Sequence, residues 1–247
     1  MNTFNREQCE IAFAAWDNCR GNYNAIKDLI PTNYVFDFDA EQINWMKTEN
    51  KCTEFCAQIG IYENKMVAVL CPMDEGGHKK EVQGYPYSFL AELKEDLNLV
   101  ETEEYTLVKN AVLSKDLKTV DNSSDMFWPI ANKPMMEQDK AIEAIESWRN
   151  DAMIWFYREC TEFQGARIFR QFYVPAENLN PPKAGLSHMV CSFGLKFSQV
   201  YQRVLPTLIF ISFYTTGLEG SENGVSVEKI SNTYDWSNAC PPICQFT

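Results

Sequence analysis

PMMEQDKAIEAIESWRNDAMIWFYRECTEFQG, residues 134–165, reads as one long helix, and the rest of the chain is organised around it. Asn132 or Lys133 can cap its start, and Pro134 suits a first turn, where a missing N–H costs nothing. Glu137 and Asp139 place negative charge at the end that the helix dipole favours. Ala141, Ile145, Trp148, Ala152 and Trp155 recur at helical spacing and form one apolar stripe. Glu143, Glu146, Arg149 and Asp151 fill the other side. The run Ala152 to Tyr157 is apolar almost all round, which predicts burial on several sides, and Gly165 is a natural stop. At about 1.5 Å per residue the helix spans roughly 40 Å, the width of a domain. Trp148 and Trp155 suit core packing under a sheet better than a ligand-stacking wall.

Upstream, residues 5–19 predict a first helix with Ile11, Ala12, Ala15 and Trp16 inward, and residues 24–30 a short second one stopped by Pro31. Val35 to Asp39 is followed by an amphipathic segment in which Asp39 and Gln42 have capping-box spacing. The period then changes to two. Phe55, Ala57, Ile59 and Ile61 alternate with Cys56, Gln58 and Gly60, and Met66 to Cys71 returns after a short polar turn, as in an antiparallel hairpin. Further strands are expected at 88–93, 105–113, 167–174, 186–197 and 205–216, with a short helix as the alternative for 89–97. The 205–216 segment is apolar enough for a central strand. Asn223-Gly224 is a hairpin signal.

Hairpins and grouped helices, without strict βαβ alternation, predict an α+β fold. The expected architecture is a mostly antiparallel sheet of about six to eight strands packed against the long helix near 134–164, with helices at the N-terminus. The 247 residues read as a single domain, 1–247. A linker at 121–134 is the candidate boundary, dividing 1–120 from 135–247.

The formal charge of −12 and the absence of any Lys/Arg cluster argue against nucleic acid and anionic membranes as partners. The longest apolar-rich run, 204–214, is too short to span a bilayer, and the N-terminus lacks a signal-peptide pattern. The expectation is a cytoplasmic protein whose nine cysteines are mostly reduced.

Dinucleotide and phosphate-loop glycine motifs, a Gly-x-Ser-x-Gly elbow and His-Glu-x-x-His are all absent, and two histidines exclude a multi-histidine metal site within one chain. No cofactor is expected. Three constellations remain. A thiolate nucleophile needs a base, which directs attention to His188 with Cys191, and to His78 in its Gly-Gly loop. Residues three apart on a strand face opposite ways, so His188 and Cys191 meet only through a bulge or loop. Cys52/Cys56 and Cys240/Cys244 are two Cys-x-x-x-Cys pairs whose four thiolates could hold zinc, or whose second pair could form a disulfide. Asp37 and Asp39 share one face of a strand, as a divalent-ion or sugar-nucleotide site would need.

Scarce histidine, missing catalytic motifs and sixteen Phe, eleven Tyr and six Trp favour a binding or assembly protein that meets a protein partner or itself. Phe127, Trp128 and Trp236 are the expected contact residues. The alternatives are a small enzyme using a Cys/His or carboxylate pair, and a protein with a Cys-ligated structural zinc.

Overall fold

The computed structural model describes residues 1–93, 106–113, 119–127, 138–180, 185–214, 233–234 and 237–241. Three of the four α-helices among the described residues start where a short polar side chain can cap them. In α1, Arg6–Cys19, Gln8 N donates to Asn5 Oδ1 and Asn5 N donates to Gln8 Oε1, each at 2.9 Å. The side chain of Asn22 caps α2, Tyr23–Leu29. The capping box of Asp39 and Gln42 starts α3, Ala40–Glu49, as its spacing predicts.

Two antiparallel sheets hold most of the described strand residues. The first has six strands: β1 (Thr3–Phe4), β3 (Glu54–Tyr62), β4 (Lys65–Cys71), β5 (Tyr85–Phe89), β9 (Gln171–Pro175) and β13 (Asn238–Cys240), in the order β1-β5-β4-β3-β9-β13. The second has five: β2 (Tyr34–Asp39), β6 (Ala91–Glu92), β10 (Leu186–Ser198), β11 (Arg203–Tyr214) and β12 (Thr233–Tyr234), in the order β12-β11-β10-β2-β6. A further antiparallel pair joins β7 (Thr106–Leu113) to β8 (Thr119–Phe127). The fold is therefore α+β, with all named pairings antiparallel. The 121–127 part of the expected linker is strand, paired with residues 106–112, and residues 128–137 lie outside the described ones. Of the expected strand 167–174, only the part from Gln171 on is strand. Phe89 ends β5 and Ala91–Glu92 form β6, so the helical alternative for this stretch fails at its start.

The two sheets pack face to face. Phe55, Ala57 and Ile59 of β3 and Phe172 of β9 meet Phe36 and Phe38 of β2, Cys191 and Phe193 of β10, and Phe210 of β11 in one buried cluster. Alternate residues of the strands face outward, and helices cover part of each outer face. On the first sheet, Cys9 and Ala12 of α1 lie against Cys56, Val67 and Val69. Gly60 permits that approach, since a Cβ there would come within 2.9 Å of Ala12 Cβ. On the second sheet, Ala141 and Ala144 of α4 (Gln138–Phe163) pack on Val190, Ile209, Ile211 and Phe213. Helices thus cover part of both outer faces, and the central cluster also takes in Trp16 of α1, Ile43 and Met46 of α3, and Trp148, Ala152 and Phe156 of α4.

The long helix is present, but its buried stripe differs from the expected one. Ala141, Ala144, Trp148, Ala152 and Phe156 are the buried apolar positions, while Ile145 and Trp155 sit at the flank. Ile154 is 69 % and Tyr157 56 % exposed, so the apolar run 152–157 is not buried all round. Seen from a single helix, Trp155 and Phe156 are equivalent choices; the position of the sheet selects Phe156. The helix ends as expected. Gly165 adopts φ +72°, and its N–H donates to Glu159 O at 3.0 Å, a left-handed termination. A Cβ on Gly165 would lie 2.4 Å from Arg20 O, where the end of α1 crosses the end of α4. Gly165→Ala is expected to cost at least about 2 kcal/mol, combining left-handed strain with this overlap, as measured by urea unfolding.

Candidate functional site

His188 and Cys191, the expected dyad, face opposite sides of β10. Cys191 lies opposite Phe36 in the central core, 1 % exposed, and burial holds its thiol pKa well above the ordinary value. His188 is on the outer face, stacked on Phe213 with ring centroids 4.7 Å apart, and Nδ1 lies 3.3 Å from Ser187 Oγ. The register irregularity between Leu186 and His188 does not bring the two together. His78 closes an exposed turn around Asp74. Asp74 Oδ1 accepts from the backbone N–H of Gly76 and of His78, each at 2.9 Å, and lies 3.6 Å from His78 Nδ1. The His78 N–H is the main cause of a lowered Asp74 pKa. This geometry explains the turn without catalysis.

The two Cys-x-x-x-Cys pairs do not form a four-thiolate site. Cys52 is free and half-buried, and Cys56 is free and buried opposite Cys71. Cys240 is disulfide-bonded and has no thiolate to offer a metal. Cys244 lies outside the described residues. Among the described residues, no group of three His, Cys, Asp or Glu side chains is arranged to hold a metal ion.

The carboxylate pair does acquire neighbours. Asp37 and Asp39 lie on one face of β2, and antiparallel pairing sets Asp39 opposite His188 and Asp37 opposite Val190. The two acids and the imidazole therefore share the outer face of the second sheet. A cavity of about 420 Å³ opens there, between β2 and β5, lined by Asn2, Asp37, Asp39, Gln42, Ser88 and His188 among others. Its walls are tied across the two sheets. Asp37 N donates to Ser88 Oγ at 2.8 Å. Gln42, only 3 % exposed, donates from Nε2 to Tyr87 O at 2.9 Å and to Asn2 O at 3.2 Å, while its Oε1 accepts from Asp39 N at 3.0 Å. Two carboxylates and an imidazole around a cleft can bind cations and exchange protons. Sequence reading separated these residues because His188 and Asp39 are far apart along the chain; only the β2–β10 pairing unites them.

Of the expected contact residues, Trp128 and Trp236 lie outside the described residues, and Phe127 is described only as the end of β8. Among the described residues, four of the exposed large apolar side chains fall at the turn between β10 and β11. Phe197 is 59 %, Val200 84 %, Tyr201 40 % and Val204 40 % exposed. Trp155 of α4 braces this hairpin through Nε1–H donated to Val204 O at 3.2 Å. The sequence signal is Phe-Ser-Gln-Val-Tyr-Gln-Arg-Val, which joins the expected strands 186–197 and 205–216; sequence alone does not say that this connection stays uncovered. Among the described residues, no helix is long and apolar enough to cross a membrane.

No family model, no curated protein and no solved structure matches the chain.

The buried thiols set a pH limit. Burial, then Glu10, pushes Cys9 up to about 12, and burial pushes Cys56 up to about 11 against the pull of Lys79. Unfolded thiols ionise near 9.0, whereas these stay protonated in the folded state. Stability is thus unaffected by them below that pH and falls as pH rises through about 11 and 12. Each thiol contributes a slope of up to about 1.4 kcal/mol per pH unit. Urea unfolding across this window should show a shallower decline for Cys56→Ala than for the parent chain.

Proposed function

We propose that this chain is a binding and assembly protein, and that its partner is a further copy of itself, docked through the β10–β11 hairpin tip. The observation that carries the reading is the exposure of Phe197, Val200, Tyr201 and Val204 on one turn. Clustered aromatic and aliphatic side chains at a protruding point are what a docking surface supplies. Charge supports a second copy as occupant. Lys196 to Val204 holds two cations and no acid, in a chain whose net charge is −12. The tip is therefore complementary to the acidic surface of another copy, and two tips set against each other would place like charges together. The contact is head-to-tail, which builds rings or filaments.

The same acidic balance argues against nucleic acid as partner. Seven free cysteines among the described residues fit a reducing compartment such as the cytoplasm, and the disulfide at Cys240 pulls the other way. A second reading, a small enzyme, rests on the one place where His188 shares a cleft with Asp37 and Asp39.

Native mass spectrometry over a wide dilution series tests assembly. Multiples of 28.5 kDa are expected, weakened by salt and lost in Val200→Asp. Val200 is 84 % exposed, so this change should alter stability by no more than about 0.5 kcal/mol. A monomer at every concentration, or an assembly unchanged by both Val200→Asp and Phe197→Ser, overturns the reading.

A further inference from the structure

We infer that the cleft between β2 and β5 binds a small organic cation with ammonium or guanidinium donors, held by Asp37 and Asp39 with His188 as a third partner. The cleft has unused acceptor capacity. Asp39 gives Oδ1 to its helix cap, accepting from Gln42 N at 2.7 Å. Its second oxygen and the whole Asp37 carboxylate have no hydrogen-bond or ion-pair partner among the described residues. The α-amino group of Met1, which acts on Asp39 at longer range, is bound to Glu41 at 2.8 Å. The His188 ring is held flat on Phe213, with Nδ1 turned to Ser187, leaving Nε2 available. A neutral imidazole presents one acceptor nitrogen.

The geometry selects the kind of cation. Carboxylates at alternate positions of a strand stand roughly 7 Å apart, too far to share one small ion but within reach of a two-headed donor. The described residues supply no metal-holding triad here, in agreement with that spacing. An ammonium or guanidinium group forms charge-assisted hydrogen bonds with each carboxylate. The site is also built in advance. Gln42, buried at 3 %, locks Asp39, the Tyr87 carbonyl and the Asn2 carbonyl in place, and Ser88 fixes the Asp37 backbone. Binding then orders few groups of the protein. The net charge of −12 draws cations toward the surface in general, so the test must separate the cleft from that diffuse attraction.

Isothermal titration calorimetry of the full chain with agmatine, which carries a guanidinium and an ammonium group, provides the test. One saturable site per chain is expected. Asp37→Asn and Asp39→Asn should each weaken it about tenfold, the loss of one charge-assisted contact. Asn at position 39 preserves the helix cap, and thermal unfolding of each variant checks that the fold is kept. Asp151→Asn, which removes an equal charge from the exposed face of α4, should leave binding unchanged. The ring resonances of His188, assigned by their loss in His188→Gln, should move with the same saturation curve. Absence of saturable heat, equal weakening by Asp151→Asn, or a His188 signal that ignores the ligand overturns the inference.

Discussion

Phe193 sits where the whole molecule converges. Its ring stacks on Trp148 of the long helix at 4.6 Å, meets Phe36 of the neighbouring strand edge-on at 5.5 Å, and touches Phe169 and Phe172 at 5.4 and 6.1 Å. One side chain thus joins both sheets and the outer helix. Such a ring buries a large apolar area and gains further from tilted and offset contacts, so removing it would open a cavity that no single neighbour could fill. The layer order follows from this seam. Once the inner faces are committed to aromatic packing, the outer faces must find cover, and α1 and α4 are the amphipathic helices available to provide it.

Small residues make those outer layers fit. Gly60 lets α1 approach the first sheet, and Gly194 faces Ala144 of α4 on the second, where a Cβ would lie 2.8 Å from Ile209 Cδ1. The helices then sit close enough to bury alanine rather than large side chains at the contact. Where α4 passes the edge of the sheet, its apolar residues lose that cover. Ile154 and Tyr157 stay exposed, and Trp155 turns to brace the β10–β11 hairpin. One helix thus carries both buried and exposed apolar residues, with the boundary set by where the sheet stops.

The cleft has a different origin. It lies where the two sheets draw together at one edge, and polar side chains rather than backbone ladders close the gap. Ser88 bridges β5 to β2, and Gln42 reaches from α3 to the β5 carbonyl and the N-terminal segment. A buried amide is retained there because all three of its neighbours need a partner. The consequence is a rim on which Asp37, Asp39 and His188 stand side by side.

Local order was legible in the residues themselves. The cap at Asp39, the stop at Gly165, the period-two alternation of 55–61 and the apolar run of 205–214 each depend on neighbours within a few positions, where backbone geometry alone dictates what fits. For the same reason the opposite orientation of His188 and Cys191 follows from strand alternation. Tertiary structure decided what depends on distant partners. The choice of Phe156 over Trp155 as the buried residue, the pairing of Asp39 with His188, the disulfide at Cys240 and the exposure of the 197–204 turn all turn on which strands and helices meet. A strand's sequence states which residues alternate; it does not state which strand lies beside it, because one apolar face can pack on many others until the whole core closes.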